Sequence, residues 1–340
     1  MRLRRWTGNA LRLVSAGVVA ACLVGQIVRD RTLPTALLFY LPPLVMGAGV
    51  ILIDLMLLGR TIRRWRFAGT LLGLLLCGIQ LAEFLRWGPP PDGPVAGEIR
   101  LVQWNVMWGG DLTRAGERNW PAMIEDLPKL GADVMVLSET PFGDGPSRLR
   151  RALGEGWYLY EMGGAEPNGY LYRFAILSRW PITELGRERC AIGATLAVRI
   201  DLPDGPLRLM VCDGMSRPWR LPREVFPMFM EALGRCAAAG EPIDIVLGDF
   251  NTPGRSVGFD AMLSPPWNFS EASDAVRGWR ATWADFLPLW RIDHVLVGPG
   301  WRVQGCEILR HFSSDHRGHL VRLRRAGGSA AVAAQGGLNE

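Results

Sequence analysis

Three apolar runs crowd the first 85 residues of this 340-residue chain, and no other feature limits its possible folds so tightly. They cover 10–28, 35–59 and 67–85, lengths of 19, 25 and 19 residues. An α-helix rising 1.5 Å per residue needs about 20 residues to cross roughly 30 Å of hydrocarbon. Three such runs in a row are hard to bury in a soluble chain of this size, so the expectation is three transmembrane helices. Arg12 lies early in the first run, Pro42, Pro43 and Asp54 interrupt the second, and Glu83 sits near the end of the third. Bare carboxylates against lipid are costly, so Asp54 and Glu83 are expected to face each other or the interface.

Arginines set the orientation. Arg2, Arg4 and Arg5 precede the first run, and Arg60, Arg63, Arg64 and Arg66 separate the second from the third. The other side holds Arg29, Arg31 and Arg86. Seven against three places the N-terminus inside and the rest of the chain outside: a multi-pass inner-membrane protein with an extracytoplasmic, periplasmic domain. Val19-Ala20-Ala21-Cys22 is similar to a lipoprotein cleavage box, but apolar sequence continues past Cys22, so an uncleaved span is the better reading. The net charge of +5 is not spread evenly. Residues 1–94 carry 11 Arg and 4 acidic residues, 11 − 4 = +7, whereas 95–340 carry 27 − 29 = −2. A near-neutral remainder disfavours a non-specific binder of long polyanions.

The chain divides into a membrane anchor (1–86), a stiff Pro/Gly linker (87–97), a domain (98–325) and a Gly/Ala-rich tail (326–340) expected to be disordered. Within the domain, β-type runs at 99–104, 134–137, 174–177, 195–200, 207–212, 243–247, 294–297, 303–309 and 319–323 alternate with helical periodicity at 120–130 and 225–236. Early βαβ units mixed with hairpins predict an α/β fold with a mixed sheet, or two packed sheets, and helices outside. Cys22 and Cys77 fall in the apolar runs; Cys190, Cys212, Cys236 and Cys306 are scattered, with neither CxxC nor zinc spacing.

Polar residues break this pattern where the predicted strands end. Asn105 follows the first, Glu139 the second, and Asp249 and Asn251 a later buried run; Asp293 and His294 come as a pair, as do Asp315 and His316. In packed α/β folds ligands bind at strand ends, where loops hold side chains on a rigid edge. Asn, Glu and Asp supply hard oxygen ligands that suit Mg²⁺ or Mn²⁺. The four histidines all lie within the last 50 residues, and His316 and His319 fall on a loop and a strand, which disfavours zinc.

Five ordered segments, Gln-Trp-Asn-Val, Asp-Val-Met-Val-Leu-Ser-Glu, Gly-Asp-Phe-Asn-Thr-Pro, Arg-Ile-Asp-His-Val and Ser-Asp-His, resemble the endonuclease/exonuclease/phosphatase superfamily, the deoxyribonuclease I-like fold. Two softer ones agree, 175–182 and Ala281-Thr-Trp283. The resemblance covers about 98–325 and implies a four-layer α/β sandwich, two packed mixed sheets flanked by helices, that cleaves phosphoesters with a metal. It further implies that Asn105, Glu139 and Asp315 surround a Mg²⁺ (or Mn²⁺), that Asp249 activates water, and that Asn251 places the water or the phosphate. His316 would touch the phosphate, held by Asp293 through its other ring nitrogen, and His294 would be a packing residue. One position departs: Asp213 stands where many members carry a histidine. That residue is expected to turn away from the phosphate, bind a cation, or be neutralised by Arg217 or Arg220. The function expected is a membrane-tethered phosphoesterase acting on nucleic acid, a nucleotide or a phospholipid headgroup, with the lipid bilayer as its partner. The competing reading is a non-catalytic binding or anchoring module that retains the fold.

Overall fold

The structure is a computed structural model, and it describes residues 2–57, 67–88, 97–110, 118–165, 171–217, 219–311 and 313–327. Most of the expected linker, nearly all of the expected tail and the arginines at 60–66 lie outside the described residues. The chain separates into two compact units, one built on 1–85 and one on 86–340 with short exchanges at 217–222 and 255–257.

The first unit holds α1 (Arg2–Val28), α2 (Leu33–Phe39), α3 (Pro43–Met56) and α4 (Ala68–Phe84). This corrects the expectation of three transmembrane helices. Among the described residues only Thr7–Val28 is a single helix long and apolar enough to cross a membrane. The second run breaks into α2 and α3, bent by 69°. Its cause is Pro42-Pro43, which cannot donate backbone hydrogen bonds and restricts the residue before it. With 17 residues, α4 reaches about 25 Å, short of a full crossing. Of the two placements expected for Asp54, facing Glu83 or the interface, the first is not the one that holds it: Asp54 accepts hydrogen bonds from Thr70 N and Thr70 Oγ1, both 2.8 Å, in the first turn of α4. A carboxylate there satisfies an orphan helix donor and complements the helix dipole. Gly47 and Gly73 let α3 and α4 approach closely; a Cβ on either would meet the other's carbonyl oxygen at 2.5–2.6 Å.

The second unit contains β1 (Leu85–Trp87), β2 (Ile99–Asn105), the turn α5 (Met107–Gly110), α6 (Trp120–Asp126), β3 (Val134–Ser138), α7 (Gly145–Leu153), β4 (Tyr158–Ala165), β5 (Leu171–Ser178), β6 (Ile182–Cys190), β7 (Gly193–Leu202), β8 (Gly205–Gly214), α8 (Pro222–Ala238), β9 (Ile245–Asp249), β10 (Ser270–Glu271), β11 (Arg277–Trp279), β12 (Asp293–Val297), β13 (Trp301–Leu309) and β14 (Gly318–Arg325). Two mixed sheets of six result, ordered β13-β14-β2-β3-β5-β4 and β10-β12-β9-β8-β7-β6. Their inner faces make one core, with Leu101, Val136, Phe174 and Val321 from one sheet against Leu196, Val211, Leu247 and Val295 from the other. Outer faces pack under helices: Trp104, Met135 and Leu137 with Trp120, Met123 and Leu127, and Met210 and Val246 with Phe226, Phe229 and Leu233 of α8. Central strands are thus buried on both faces, which is why they read as continuous apolar runs.

Pairing direction positions the site. β2 runs parallel to β3, and β8 parallel to β9, so Asn105 ends beside Ser138 and Asp213 beside Asp249. β12 is antiparallel to β9 and begins with Asp293 opposite Asp249. β14 is antiparallel to β2, so the residues just before it return to the end of β2.

Candidate active site

Local backbone shape turns the strand-end residues toward one another. Glu139 (φ 51°) and Asn251 (φ 49°) are left-handed, an uncommon conformation for non-glycine residues that recurs at functional sites. Gly248, at φ +138°, precedes Asp249, and a Cβ there would run into the Cys212 carbonyl of the parallel neighbour. Only glycine lets β9 lie this close while swinging Asp249 to the sheet end.

Asp249 is buried and held on both oxygens. Asn251 N donates to its Oδ1 at 2.8 Å, while Asn105 Nδ2 (2.9 Å) and Asn251 Nδ2 (3.2 Å) donate to its Oδ2. Asn251 Nδ2 also donates to the Gly214 carbonyl at 2.8 Å, so this residue orients Asp249. The Asn105 oxygen accepts from Met107 N at 3.0 Å and keeps a second lone pair. His316 Nδ1 pairs with Asp293 Oδ2 at 2.9 Å, and His316 Nε2 lies 3.8 Å from Asp249 Oδ2 and 3.9 Å from Asp315 Oδ1. Ligand atoms of Asp249, Asp293 and His316 fall within 4.8 Å of one another, a grouping that could hold a metal ion. Asp315 accepts from Trp283 Nε1 at 3.1 Å and has a side chain 38% exposed, the open edge of the cluster.

The electrostatics follow from three carboxylates around one imidazole. Burial, with Asp293 adding repulsion, pushes Asp249 up to about 8, although His316 and the Asn251 N–H work the other way. Burial also opposes ionisation of Asp293, but His316 beside it prevails and holds that carboxyl below its usual range. For His316, burial alone would favour the neutral ring; Asp293 and Asp249 overcome it and raise its pKa well above the ordinary value. The site therefore holds an imidazolium fixed by one carboxylate and a second carboxyl with a strong affinity for a proton.

Of the residues singled out in the sequence, Asn105, Asp249, Asn251, Asp293, Asp315 and His316 come together through these contacts, and Glu139 is close enough to add to the repulsion on Asp249. Asp213 is buried at the end of β8, in register with Asp249. His294 packs against Phe259 at 4.5 Å between ring centroids and is also tied by polar bonds, Nδ1 to Glu271 Oε2 (2.8 Å) and Nε2 to the Thr252 carbonyl (3.1 Å). His319 turns away from His316 and bonds Gln103 Oε1 through Nδ1 at 2.9 Å. Supporting residues went unseen in the sequence. Trp104 Nε1 donates to the His316 carbonyl (2.9 Å), Ser314 Oγ to the Asn105 carbonyl (2.7 Å), and the backbone N–H groups of Ile292 and Asp293 donate to Thr282 Oγ1 (3.2 Å each). Trp104 and Ser314 lie in the Gln-Trp-Asn-Val and Ser-Asp-His segments, and Thr282 and Trp283 in Ala-Thr-Trp ahead of Arg-Ile-Asp, but the segments alone gave these four no role; Glu271 had no signal.

The sequence profile described as the Endonuclease/Exonuclease/phosphatase family matches residues 102–316, well over half of the chain. Among solved structures, the chain is similar to the human Nocturnin catalytic domain (16% identity, 68% of this chain and 94% of that one, TM-score 0.52). It is also similar to a Bacteroides thetaiotaomicron mannosyl-6-phosphatase (15%, 66% and 99%, 0.52) and to a humanized D. rerio TDP2 (18%, 67% and 100%, 0.52). At these identities the likeness shows the fold. No curated protein matches the chain.

Proposed function

The chain belongs to the endonuclease/exonuclease/phosphatase family, and from that premise we propose that it is a divalent-metal-dependent phosphoesterase tethered to a membrane. The observation that carries this reading is the line Asp293–His316–Asp249, 2.9 and 3.8 Å apart, drawn from both sheets at one strand-end edge. The donor set fits a hard cation, because three carboxylates meet a single imidazolium and an amide oxygen keeps a lone pair. Glu139, Asp315 and the Asn105 oxygen would hold Mg²⁺ or Mn²⁺. When bound, such an ion polarises a phosphoryl oxygen and stabilises the leaving oxygen. Asp249, Asp293 and His316 serve the proton and the phosphate instead, since the Nδ1 of His316 is already given to Asp293.

Asp293 keeps Nδ1 of His316 protonated and leaves Nε2 as a donor toward the substrate. The imidazolium neutralises charge that develops on the phosphate. Asp249 takes the proton from the attacking water; its high proton affinity suits a general base, and Asn251 and Asn105 fix its direction. A mannosyl-6-phosphatase among the similar structures supports a phosphoester substrate. The slightly negative balance of 95–340 disfavours long nucleic acid. In the architecture proposed, apolar helices within 1–86 anchor the chain, 87–97 links, 98–325 acts outside the cytoplasm, and 326–340 is a tail.

Purified chain, assayed on bis-p-nitrophenyl phosphate and p-nitrophenyl phosphate, should hydrolyse at least one of them. Activity should vanish with EDTA and return with Mg²⁺ or Mn²⁺. Hydrolysis of neither compound with metal present would favour the binding-module reading. A C-terminal alkaline phosphatase fusion should be active, and an inactive one overturns the outward assignment.

A further inference from the structure

Loop 284–289 joins the site to the protein surface. Its base holds the site: Trp283 Nε1 donates to Asp315, and Asp285 N donates to the Asp315 carbonyl at 2.7 Å. Its tip does the opposite of packing. Phe286 is 83% exposed and Leu287 is 53% exposed. The tip is not a slack segment that could fold back to hide them. Leu287 N closes a turn on the Ala284 carbonyl at 2.9 Å, and Leu289 N and Trp290 N both return to the Trp283 carbonyl at 2.9–3.0 Å. Below the tip, two arginines grip Asp285. Arg317 Nε donates to Oδ1 at 2.9 Å and Arg310 Nε to Oδ2 at 3.0 Å, which leaves a net positive charge beside the apolar pair.

Those two arginines also line an open cavity of about 410 Å³, together with Arg277, Arg322, Trp279 and Glu307. Its four guanidinium groups stand against Glu307 in the lining, Asp285 behind Arg310 and Arg317, and Glu98 at 3.2 Å from Arg322 Nε, which leaves an excess of one positive charge; guanidinium forks match phosphate oxygens. An apolar tip, held rigid, stands directly beside an arginine-lined cavity. Water satisfies only the second half of that surface; an anionic lipid bilayer satisfies both, with acyl chains for Phe286 and Leu287 and headgroup phosphates for the arginines.

We infer that this face docks on an anionic phospholipid surface and presents the site to phosphoesters held at that surface. The inference rests on the phosphoesterase reading for the substrate it names. Docking itself follows from the exposed pair, its rigid turn and the cationic cavity.

The test uses the full chain in vesicles of phosphatidylcholine with 30% phosphatidylglycerol. A fluorophore is attached at Leu287→Cys, or in a second variant at Phe286→Cys, with Cys77, Cys190 and Cys236 replaced by alanine. Tyr158→Cys, also at an exposed position, is the control. Lipids with a nitroxide on the acyl chain should quench the tip fluorophore at least threefold more than the control, and less in vesicles of phosphatidylcholine alone. Equal quenching at tip and control overturns docking. Quenching indifferent to phosphatidylglycerol overturns the role of the arginines. A tip already shielded in detergent, in particles of twice the chain mass, overturns the lipid in favour of a second copy. Hydrolysis of bis-p-nitrophenyl phosphate is read on the same samples. Activity without tip quenching fails the docking alone, and tip quenching without activity fails the phosphoesterase alone.

Discussion

His319 should make the fold acid-sensitive in a narrow window. It is fully buried, and its Nδ1–H donates to Gln103. Burial lowers its pKa from 6.5 to about 4, despite the opposing pull of Glu271 and Asp293. The unfolded chain takes up this proton near 6.5 and the folded chain only near 4, so acid favours unfolding. The contribution is whole above pH 6.5 and is lost as pH falls toward 4. At 1.36 kcal/mol per unit, titration to pH 4.5 costs about 2.5 kcal/mol, a large part of a typical domain's stability. Glu271 does not blur the window. Burial disfavours its charge, but Arg291 and His294 dominate and depress its pKa, so its own loss begins only below the ordinary value of 4.5. His319→Gln keeps a donor for Gln103 and removes the titration. Guanidinium unfolding of both proteins in detergent, followed by tryptophan fluorescence from pH 7 to 4.5, should show wild type losing about 2.5 kcal/mol more than the variant. Parallel curves, within about 0.5 kcal/mol, would refute the assignment of a neutral buried imidazole.

Asp249→Asn should slow metal-dependent hydrolysis of bis-p-nitrophenyl phosphate at least about 10²-fold, the usual scale for a lost general base. Near-full activity would remove Asp249 from that role. Asp213→Asn should change the same rate less than about tenfold while His316→Ala costs far more; a loss at Asp213 as deep as that at Asp249, with weaker Mg²⁺ dependence, would make Asp213 a working part of a metal site. Gly248→Ala should destabilise the chain by several kcal/mol, about 2–4, because its Cβ meets the Cys212 carbonyl at a left-handed φ. Soluble, detergent-stable protein with an unchanged melting temperature would contradict that.

Most of the central strands were legible because burial on both faces writes them as unbroken apolar runs, as in Val134–Ser138 and Ile245–Asp249. Strands β4 and β6 were not. Tyr158–Ala165 carries Glu161 and two glycines, and Ile182–Cys190 is half-exposed and rich in Arg and Glu. Edge strands face water, so their composition resembles that of loops. The short helix Gly145–Leu153 hid for a related reason, with three arginines in nine residues. In the N-terminal region hydropathy showed which residues are apolar but not where the helix breaks, because Pro42-Pro43 acts through backbone geometry that a hydropathy average does not see. At the site, strand-end polar residues stood out against apolar runs. Glu271 did not, since its value comes from Arg291 and His294, distant in sequence and close only after folding.

The bond from Asn105 to Asp249 crosses from one sheet to the other, and so does that from His316, just before β14, to Asp293 at the start of β12. Each half of the chemistry is therefore mounted on a separate plate, and the spacing between the plates is set by the side chains sandwiched there. A hydrogen bond tolerates a misfit of a few tenths of an ångström, less than the thickness of a methylene group. Activity should thus act as a gauge of that spacing. Shaving Val211 or Leu247, both in the core between the sheets, would shift the alignment of an otherwise intact set of residues, and warming or hydrostatic pressure would do the same without any substitution.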